Sequence, residues 1–192
     1  MYRPVEVVEV WIWGQQVGAV ALDPKLGYYA FEFAPEFVAA GMELAPLTMP
    51  RAQATEPFIF PALPELTFHR LPALLADALP DDFGNALINA WMAGQSVARE
   101  HITPLDRLAY MGKRGLGALE FKPMRGPSRA SSSAIEMADL VETARLALSG
   151  DFGSDSEARA SLTQLIQVGT SAGGARAKAA IAWNPSSREI RA

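Results

Sequence analysis

VEVVEVWIWGQQVGAVAL, residues 5–22, is the segment from which the architecture of this chain can be worked out. Its first half, residues 5–13, is β-branched and aromatic and contains neither glycine nor proline, which favours a β-strand. The polar residues 14–16 predict a turn, and residues 17–22 predict the returning strand of a hairpin. This part of the sequence therefore predicts an antiparallel sheet.

A third strand is predicted directly after the hairpin. A turn rich in Asp, Pro and Gly leads into YYAFEF, residues 28–33. Tyr29, Phe31 and Phe33 fall on one face of this strand because strand side chains alternate with a period of two. The sequence therefore predicts a three-stranded antiparallel meander over residues 4–33.

Helices are predicted after the meander. Residues 35–41 favour a short helix, whereas residues 42–68 are rich in proline and predict mostly loop, with an extended piece near 44–49. Apolar residues at three- and four-residue spacing then predict three helices whose stripes pack in the core. These stripes lie within 71–79, 83–91 and 105–111. Residues 115–121 predict a strand that returns to the sheet.

The composition changes after this strand. Residues 123–133 are rich in Pro, Ser and basic side chains and predict a linker. Ser133 stands three residues before a glutamate, the spacing of a capping box, which predicts a helix start. A second helix is predicted over about 156–167. A glycine-rich segment follows, and then two strands joined by a turn at 184–186.

The bulk composition excludes several classes of function. The formal charge of −4 and the pI of about 5.2 lack the basic footprint of a nucleic-acid-binding protein, so no direct nucleic-acid binding is expected. The chain has no cysteine and only two histidines, which argues against disulfides and zinc sites. No signal peptide and no apolar run of about 20 residues is present, so we expect no membrane contact and a cytoplasmic location.

Two short patterns could be mistaken for catalytic sites. Asp81 and Asp82 could pair as a carboxylate dyad, but their place directly after a proline favours charge complementarity at a helix N-terminus. Residues 169–173 fit G-x-S-x-G, the nucleophile elbow of hydrolases, in which the acid and the histidine follow the serine. No aspartate and no histidine follow Ser171, so a serine hydrolase is disfavoured.

The glycine-rich segment is not a Walker A loop either, since G-x-x-x-x-G-K-[ST] is absent. Its small side chains would let backbone N–H groups approach phosphate oxygens, and its two cations would offset anionic charge. Glycine and serine are also ordinary turn residues, so composition alone leaves open a nucleotide loop or a plain turn into a hairpin. The candidate ATP-binding residues are Ser171, Ala172, Gly173, Gly174, Ala175, Arg176 and Lys178.

Five segments, taken in order, resemble the N-terminal portion of HipA-type serine/threonine kinases, the toxins of bacterial toxin–antitoxin pairs. They read VWIWGQQVGAV, FEFAPEFVAAG, LPDDFGNALI, PLDRLAYMGKRGLGALEF and TSAGGARAKAAIAWNP. The resemblance implies an α+β fold with an N-terminal antiparallel sheet and packed helices over 1–122, the HipA N-terminal subdomain. A linker at 123–133 would then lead to the start of a kinase-like N-lobe, helices plus a β-hairpin, over 134–192.

The resemblance also implies a role for the glycine-rich segment. It looks like the ATP-covering loop of the family, and Ser171 falls on the loop serine that family members autophosphorylate. A phosphate there carries nearly two negative charges and would be repelled by the triphosphate, which accounts for the loss of activity linked to this modification. Full-length relatives use ATP and Mg²⁺, pair with a helix-turn-helix antitoxin, and phosphorylate components of tRNA charging.

Other parts of a kinase are missing from the sequence. Phosphoryl transfer needs a strand lysine, a catalytic aspartate with its asparagine, and a metal-binding aspartate. No aspartate follows Asp155, and Lys178 lies too close to the loop to be the strand lysine. We therefore expect a truncated or split HipA-type protein without catalytic or metal-binding residues, inactive alone and without a cofactor of its own.

The expected partners of such a protein are a helix-turn-helix antitoxin or the missing kinase lobe. The alternative hypothesis is a separately encoded regulatory module that binds and restrains a HipA-type kinase.

Overall fold

A four-stranded sheet organises the computed structural model, which describes residues 2–115, 117–127, 162–163, 165–166, 182–188 and 190–191. Its strands are β1 (Val7–Ile12), β2 (Gln15–Leu22), β3 (Tyr29–Phe33) and β4 (Leu119–Lys122). They lie in the order β3-β2-β1-β4, and neighbouring strands are antiparallel. The predicted meander is confirmed, and so is the predicted strand that returns to the sheet.

The turn between β1 and β2 differs from the prediction. It consists of Trp13 and Gly14, whose φ angles are 50° and 82°. Positive φ at both central residues is typical of a two-residue type I′ hairpin. Gln15 and Gln16 already belong to β2, so the prediction of a turn over 14–16 was wrong by one to two residues. Tryptophan rarely adopts positive φ, and nothing in the sequence marks this position as a turn.

The inner face of the sheet forms the main core. Tyr29, Phe31 and Phe33 are buried on one face of β3, which confirms the predicted alternation. Gly18 allows β2 and β3 to approach closely, because a Cβ at this position would lie 2.1 Å from the carbonyl oxygen of Glu32. The same core includes Leu105, which belongs to a helix later in the chain.

The outer face of the sheet carries polar contacts. The Lys122 ammonium lies 3.3 Å from the centre of the Trp11 ring, which is a cation–π contact. The Trp11 indole N–H donates to the Glu9 carboxylate at 2.9 Å. One packed face and one polar face are typical of an antiparallel sheet.

The long loop after β3 covers the outer edge of that strand. Phe58 and Phe31 exchange backbone hydrogen bonds of 2.7 and 3.0 Å, and Tyr29 N–H donates to the carbonyl of Arg70 at 3.1 Å. Pairing of this kind blocks association through the edge strand. The sequence predicted a loop with an extended piece at 44–49, where Ala45 and Met49 form an isolated bridge, but the Phe58 contact was not predicted.

Five α-helices lie between β3 and β4. They are α1 (Pro35–Ala39), α2 (Glu65–Phe68), α3 (Ala73–Ala76), α4 (Asp82–Ala93) and α5 (Pro104–Met111). Short 3₁₀ turns occupy Arg51–Gln53 and Arg99–His101. The helices predicted over 35–41, 83–91 and 105–111 are confirmed. The helix predicted over 71–79 is shorter because Pro72 is its N-cap, and α2 was not predicted.

Few residues beyond 127 are described. Leu162, Thr163, Leu165 and Ile166 are helical, as predicted for 156–167. Strands β5 (Ala182–Trp183) and β6 (Ile190–Arg191) pair antiparallel, as predicted on either side of the turn. In this turn the Asn184 side chain accepts from the backbone of Ser186 at 2.9 Å. The predicted helix at Ser133 and most of the predicted linker lie outside the described residues.

Within the ranges the structure describes, no helix has both the length and the apolar character needed to cross a membrane.

Candidate functional site

The predicted ATP loop lies outside the described residues. This applies to Ser171, Ala172, Gly173, Gly174, Ala175, Arg176 and Lys178. Their assignment therefore stays a prediction. The described residue closest before the loop in sequence is Ile166.

Helix α4 is the part of the N-terminal region that contacts Leu162, Leu165 and Ile166. Asp81 is its N-cap, and its side chain accepts a hydrogen bond from the backbone of Gly84 at 2.8 Å. Asp82 lies in the first turn, where a carboxylate complements the helix dipole. The two aspartates therefore start a helix, as their position after a proline indicated, and the dyad interpretation has no support.

One side of α4 packs against the described helical residues of the later segment. Phe83 and Leu87 form an apolar cluster with Leu162, Leu165 and Ile166. All five side chains are buried, with exposed fractions of 6% or less. Ala90 and Trp91 border the cluster on the α4 side. The spacing 162, 165, 166 places the three residues of the later segment on one face of a helix.

Another side of α4 is fixed to the rest of the N-terminal part. Ile88 and Met92 share a cluster with Tyr110 of α5. Arg107 of α5 donates to the side-chain oxygens of Asn85 at 2.7 Å and Asn89 at 3.1 Å. Burial lowers the pKa of Arg107, and the nearby Arg99 lowers it further. These contacts hold α4 on α5.

Asp106, in the first turn of α5, forms a buried polar centre. Its side chain is 1% exposed. Oδ1 accepts from the backbone of Val5 at 2.8 Å, and Oδ2 accepts from both the backbone and the hydroxyl of Thr103 at 2.8 Å. Thr103 and Asp106 form a capping box at the start of α5. The carboxylate thus ties the N-terminal segment to the helix.

A small cavity adjoins this carboxylate. Tyr2 lines this cavity, and its burial raises the pKa of its hydroxyl above the ordinary range. The hydrogen bond to Asp106 raises this pKa further. The cavity has a volume of about 40 Å³. Its lining residues are Tyr2, Met92, Gln95, Asp106, Tyr110, Arg125 and Gly126. This volume accommodates about one water molecule and is far below that of a small-molecule pocket. Both Asp106 oxygens accept hydrogen bonds from backbone N–H groups, so the cluster supports the fold.

The glycine-rich turn after α5 is structural as well. Gly112 has a φ of +50° at the end of the helix, and its carbonyl accepts from Phe121 at 3.0 Å. Arg114 donates to the carbonyls of Tyr110, Arg125 and Pro127, the last at 2.7 Å. These hydrogen bonds fix the turn that leads into β4.

No group of three or more His, Cys, Asp or Glu side chains that could hold a metal ion occurs among residues 2–115 and 117–127 or the few described later. His69 and His101 are exposed. The sequence-based interpretation missed Asp106 and Arg107. The Thr-x-x-Asp spacing at 103–106 signals a helix cap, but no local pattern signals the contact with Val5, 101 residues away.

Residues 8–122 match the sequence model of a family described as the HipA N-terminal domain. This range contains nearly all of the sheet and all five helices, and it ends at the last residue of β4. Curated proteins contain no match to the chain.

Proposed function

The chain belongs to the family of HipA N-terminal domains, and on this premise we propose that it is the N-terminal part of a HipA-like serine/threonine protein kinase toxin of a type II toxin–antitoxin system. The observation that carries the proposal is the family match over 8–122, followed in sequence by the glycine-rich segment around Ser171. The four-stranded sheet with packed helices is consistent with a domain of that extent.

In this proposal, residues 1–122 form the HipA N-terminal subdomain and residues 134–192 form the start of a kinase N-lobe. The segment from Ser171 to Lys178 covers the ATP phosphates in the assembled kinase, and Ser171 is the residue that receives a phosphate. Small residues with two adjacent cations suit contact with phosphate oxygens. The β5–β6 hairpin supports a strand pair directly after the loop.

A polypeptide of these 192 residues is expected to transfer no phosphate by itself. It has no aspartate after Asp155, and kinases hold Mg²⁺ with aspartate and asparagine side chains of the catalytic lobe. The aspartates closest to the core have other roles, since Asp81 caps α4 and Asp106 binds backbone N–H groups. ATP and Mg²⁺ would therefore bind only when a catalytic lobe is present.

The test uses the full chain with radiolabelled ATP and Mg²⁺, alone and with an active HipA-type kinase. We expect no label in the chain alone, and label in the presence of the kinase. Ser171→Ala should abolish this label, whereas the neighbouring Thr170→Ala should retain it. Label without added kinase, or micromolar ATP binding by calorimetry, would contradict the proposed inactivity. Equal labelling of the wild type and Ser171→Ala would contradict the site.

A second candidate function is a separately encoded module that binds and restrains a HipA-type kinase. The observation that favours it is Trp183 on the β5–β6 hairpin, whose side chain is 54% exposed, because aromatic side chains are enriched at protein–protein interfaces. Co-expression with a HipA-type kinase and gel filtration tests it. We expect a stable complex under this alternative, and separate elution would count against it.

A further inference from the structure

Arg107 is held in place by neutral amides and not by an acid. Its two terminal nitrogens donate to the side-chain oxygens of Asn85 at 2.7 Å and Asn89 at 3.1 Å. No carboxylate of the described residues forms an ion pair with it, whereas Arg70 lies 2.6 Å from Glu65. Amide oxygens orient a guanidinium but carry no charge that balances it. The positive charge of Arg107 therefore remains open to an anion.

The guanidinium of Arg107 also has donors left for an anion. The Nδ2 of Asn85 donates to the carbonyl of Pro80 at 3.0 Å, which fixes its Oδ1 towards the arginine. A guanidinium has five N–H donors, and the two amides occupy two of them. No nitrogen of Arg107 is both buried and unpartnered in the part of the chain that the structure describes. The Nε atom, which makes neither amide contact, is therefore open to solvent.

A second arginine stands beside the first. Arg99 is exposed and begins the 3₁₀ turn between α4 and α5. The turn is fixed on both sides, because Val97 and Ile102 are buried in the cluster with Ile88. Burial lowers the pKa of Arg107, and the positive charge of Arg99 lowers it further, which indicates that the two guanidinium groups lie close together.

The acid next to Arg107 in sequence does not neutralise this pair. The charge of Asp106 raises the pKa of Arg107, the opposite of the effect of Arg99. Its two oxygens are occupied by the backbone N–H groups of Val5 and Thr103 and by the Thr103 hydroxyl. The carboxylate is also 1% exposed, so it is not available to a guanidinium at the surface.

We propose that Arg99 and Arg107 form a binding site for a phosphate group, and that Asn85 and Asn89 are the residues that position Arg107. Two guanidinium groups match the charge of a phosphate, which is nearly −2 at neutral pH. Their planar forks of N–H donors also match its oxygens. Free phosphate and a phosphate ester share this chemistry. The site requires neither ATP nor a kinase lobe, so it does not depend on the proposed function.

Thermal unfolding of the full chain tests the site, with sodium phosphate compared with sodium chloride at equal ionic strength. At about 50 mM phosphate we expect Tm to rise by about 3 °C, the shift for a dissociation constant of roughly 5–10 mM. Arg99→Gln and Arg107→Gln, made separately, should each reduce the shift to less than about 1 °C. Because Arg99 is exposed, Arg99→Gln keeps the test valid even if Arg107→Gln unfolds the domain.

Two matched controls also remove one positive charge each. Arg70→Gln changes an exposed arginine that already pairs with Glu65. Arg176→Gln changes a cation of the candidate ATP loop. Both variants should keep the full phosphate shift. Loss of the shift in Arg176→Gln but not in Arg99→Gln would place the phosphate at the loop, which would overturn this site and support the proposed function.

A phosphate ester identifies the source of the group. O-phosphoserine that raises Tm as much as inorganic phosphate shows that an esterified phosphate is accepted, and no effect of the ester assigns the site to the free ion. Either result supports the site if Arg99→Gln removes the shift. Equal phosphate shifts in the wild type, Arg99→Gln and Arg107→Gln would show an adventitious ion only, since phosphate stabilises many proteins by exclusion from their surfaces. That result, or an equal shift with acetate, would overturn the proposal.

Discussion

Replacing Asp106 with asparagine should destabilise the N-terminal domain although the side chain keeps its size. Both carboxylate oxygens face donors: Oδ1 faces the backbone N–H of Val5, and Oδ2 faces the backbone N–H and the hydroxyl of Thr103. An asparagine has only one oxygen, and its amide nitrogen is a donor. In either orientation, at least one buried backbone N–H meets another donor and loses its acceptor.

The expected loss can be worked out from these contacts. A buried donor without a partner costs about 1–3 kcal/mol, and hydrogen bonds to a charged acceptor are worth about 1 kcal/mol more than neutral ones. Asp106→Asn should therefore lower the free energy of unfolding by about 3 kcal/mol. For a chain of this length, 1 kcal/mol shifts Tm by about 2–4 °C, so Tm should fall by about 6–12 °C.

Urea unfolding followed by tryptophan fluorescence measures this loss. Asp81→Asn is the matched control, because Asp81 accepts from one backbone N–H at a helix N-cap, where asparagine serves about as well. We expect Asp81→Asn to change the free energy of unfolding by less than about 0.5 kcal/mol. The reasoning is refuted if Asp106→Asn loses less than about 1 kcal/mol, or if the two variants lose equal amounts.

Three further changes test other features of the fold. Trp13→Asn places a residue that tolerates positive φ before Gly14, so the free energy of unfolding should rise by about 0.5–1 kcal/mol. Gly18→Ala forces a Cβ to within 2.1 Å of the Glu32 carbonyl oxygen and should lower it by about 2 kcal/mol or more, whereas Gly117→Ala, in open space, should change it little. Burial raises the pKa of Tyr29 from 10.0 to about 12. The folded state then disfavours ionisation, so this part of the stability is present below pH 10 and is lost as the pH rises towards about 12. Tyr29→Phe should reduce this alkaline loss in pH-dependent unfolding measurements.

Each of these predictions has a contradictory outcome. A lower urea midpoint for Trp13→Asn would mean that the indole stabilises the hairpin. Equal midpoints for Gly18→Ala and Gly117→Ala would mean that β3 can move away from β2 without loss. An alkaline transition that is the same in Tyr29→Phe and the wild type would assign that transition to other groups.

The strands and the longer helices could be predicted because local pattern and tertiary packing agree in them. Tyr29, Phe31 and Phe33 alternate on β3, and Phe83 and Leu87 repeat on α4 at helical spacing. Where the two disagree, the prediction failed. Leu71 fits the helical stripe of α3, but Pro72 is the N-cap, so the helix begins only at Ala73.

Contacts between distant residues were beyond local reasoning. Phe58 lies in a loop without hydrophobic period, so nothing indicated its pairing with Phe31. The cap formed by Thr103 and Asp106 could have been found from their spacing, but not the bond from Asp106 to Val5. The candidate ATP loop was proposed from small residues and a family resemblance, and it remains a prediction because Ser171 lies outside the described residues.

The position of β4 beside β1 has a consequence for biosynthesis. Ile12 pairs with Leu119, so one edge of β1 waits for its neighbour while the intervening chain is made. At roughly 5–20 residues per second, a ribosome needs about 5–20 s to synthesise a hundred residues. A nascent chain therefore carries an unpaired edge of β1 for seconds. If translation stalled before Leu119, this edge would stay open to pairing with other chains unless a chaperone bound it.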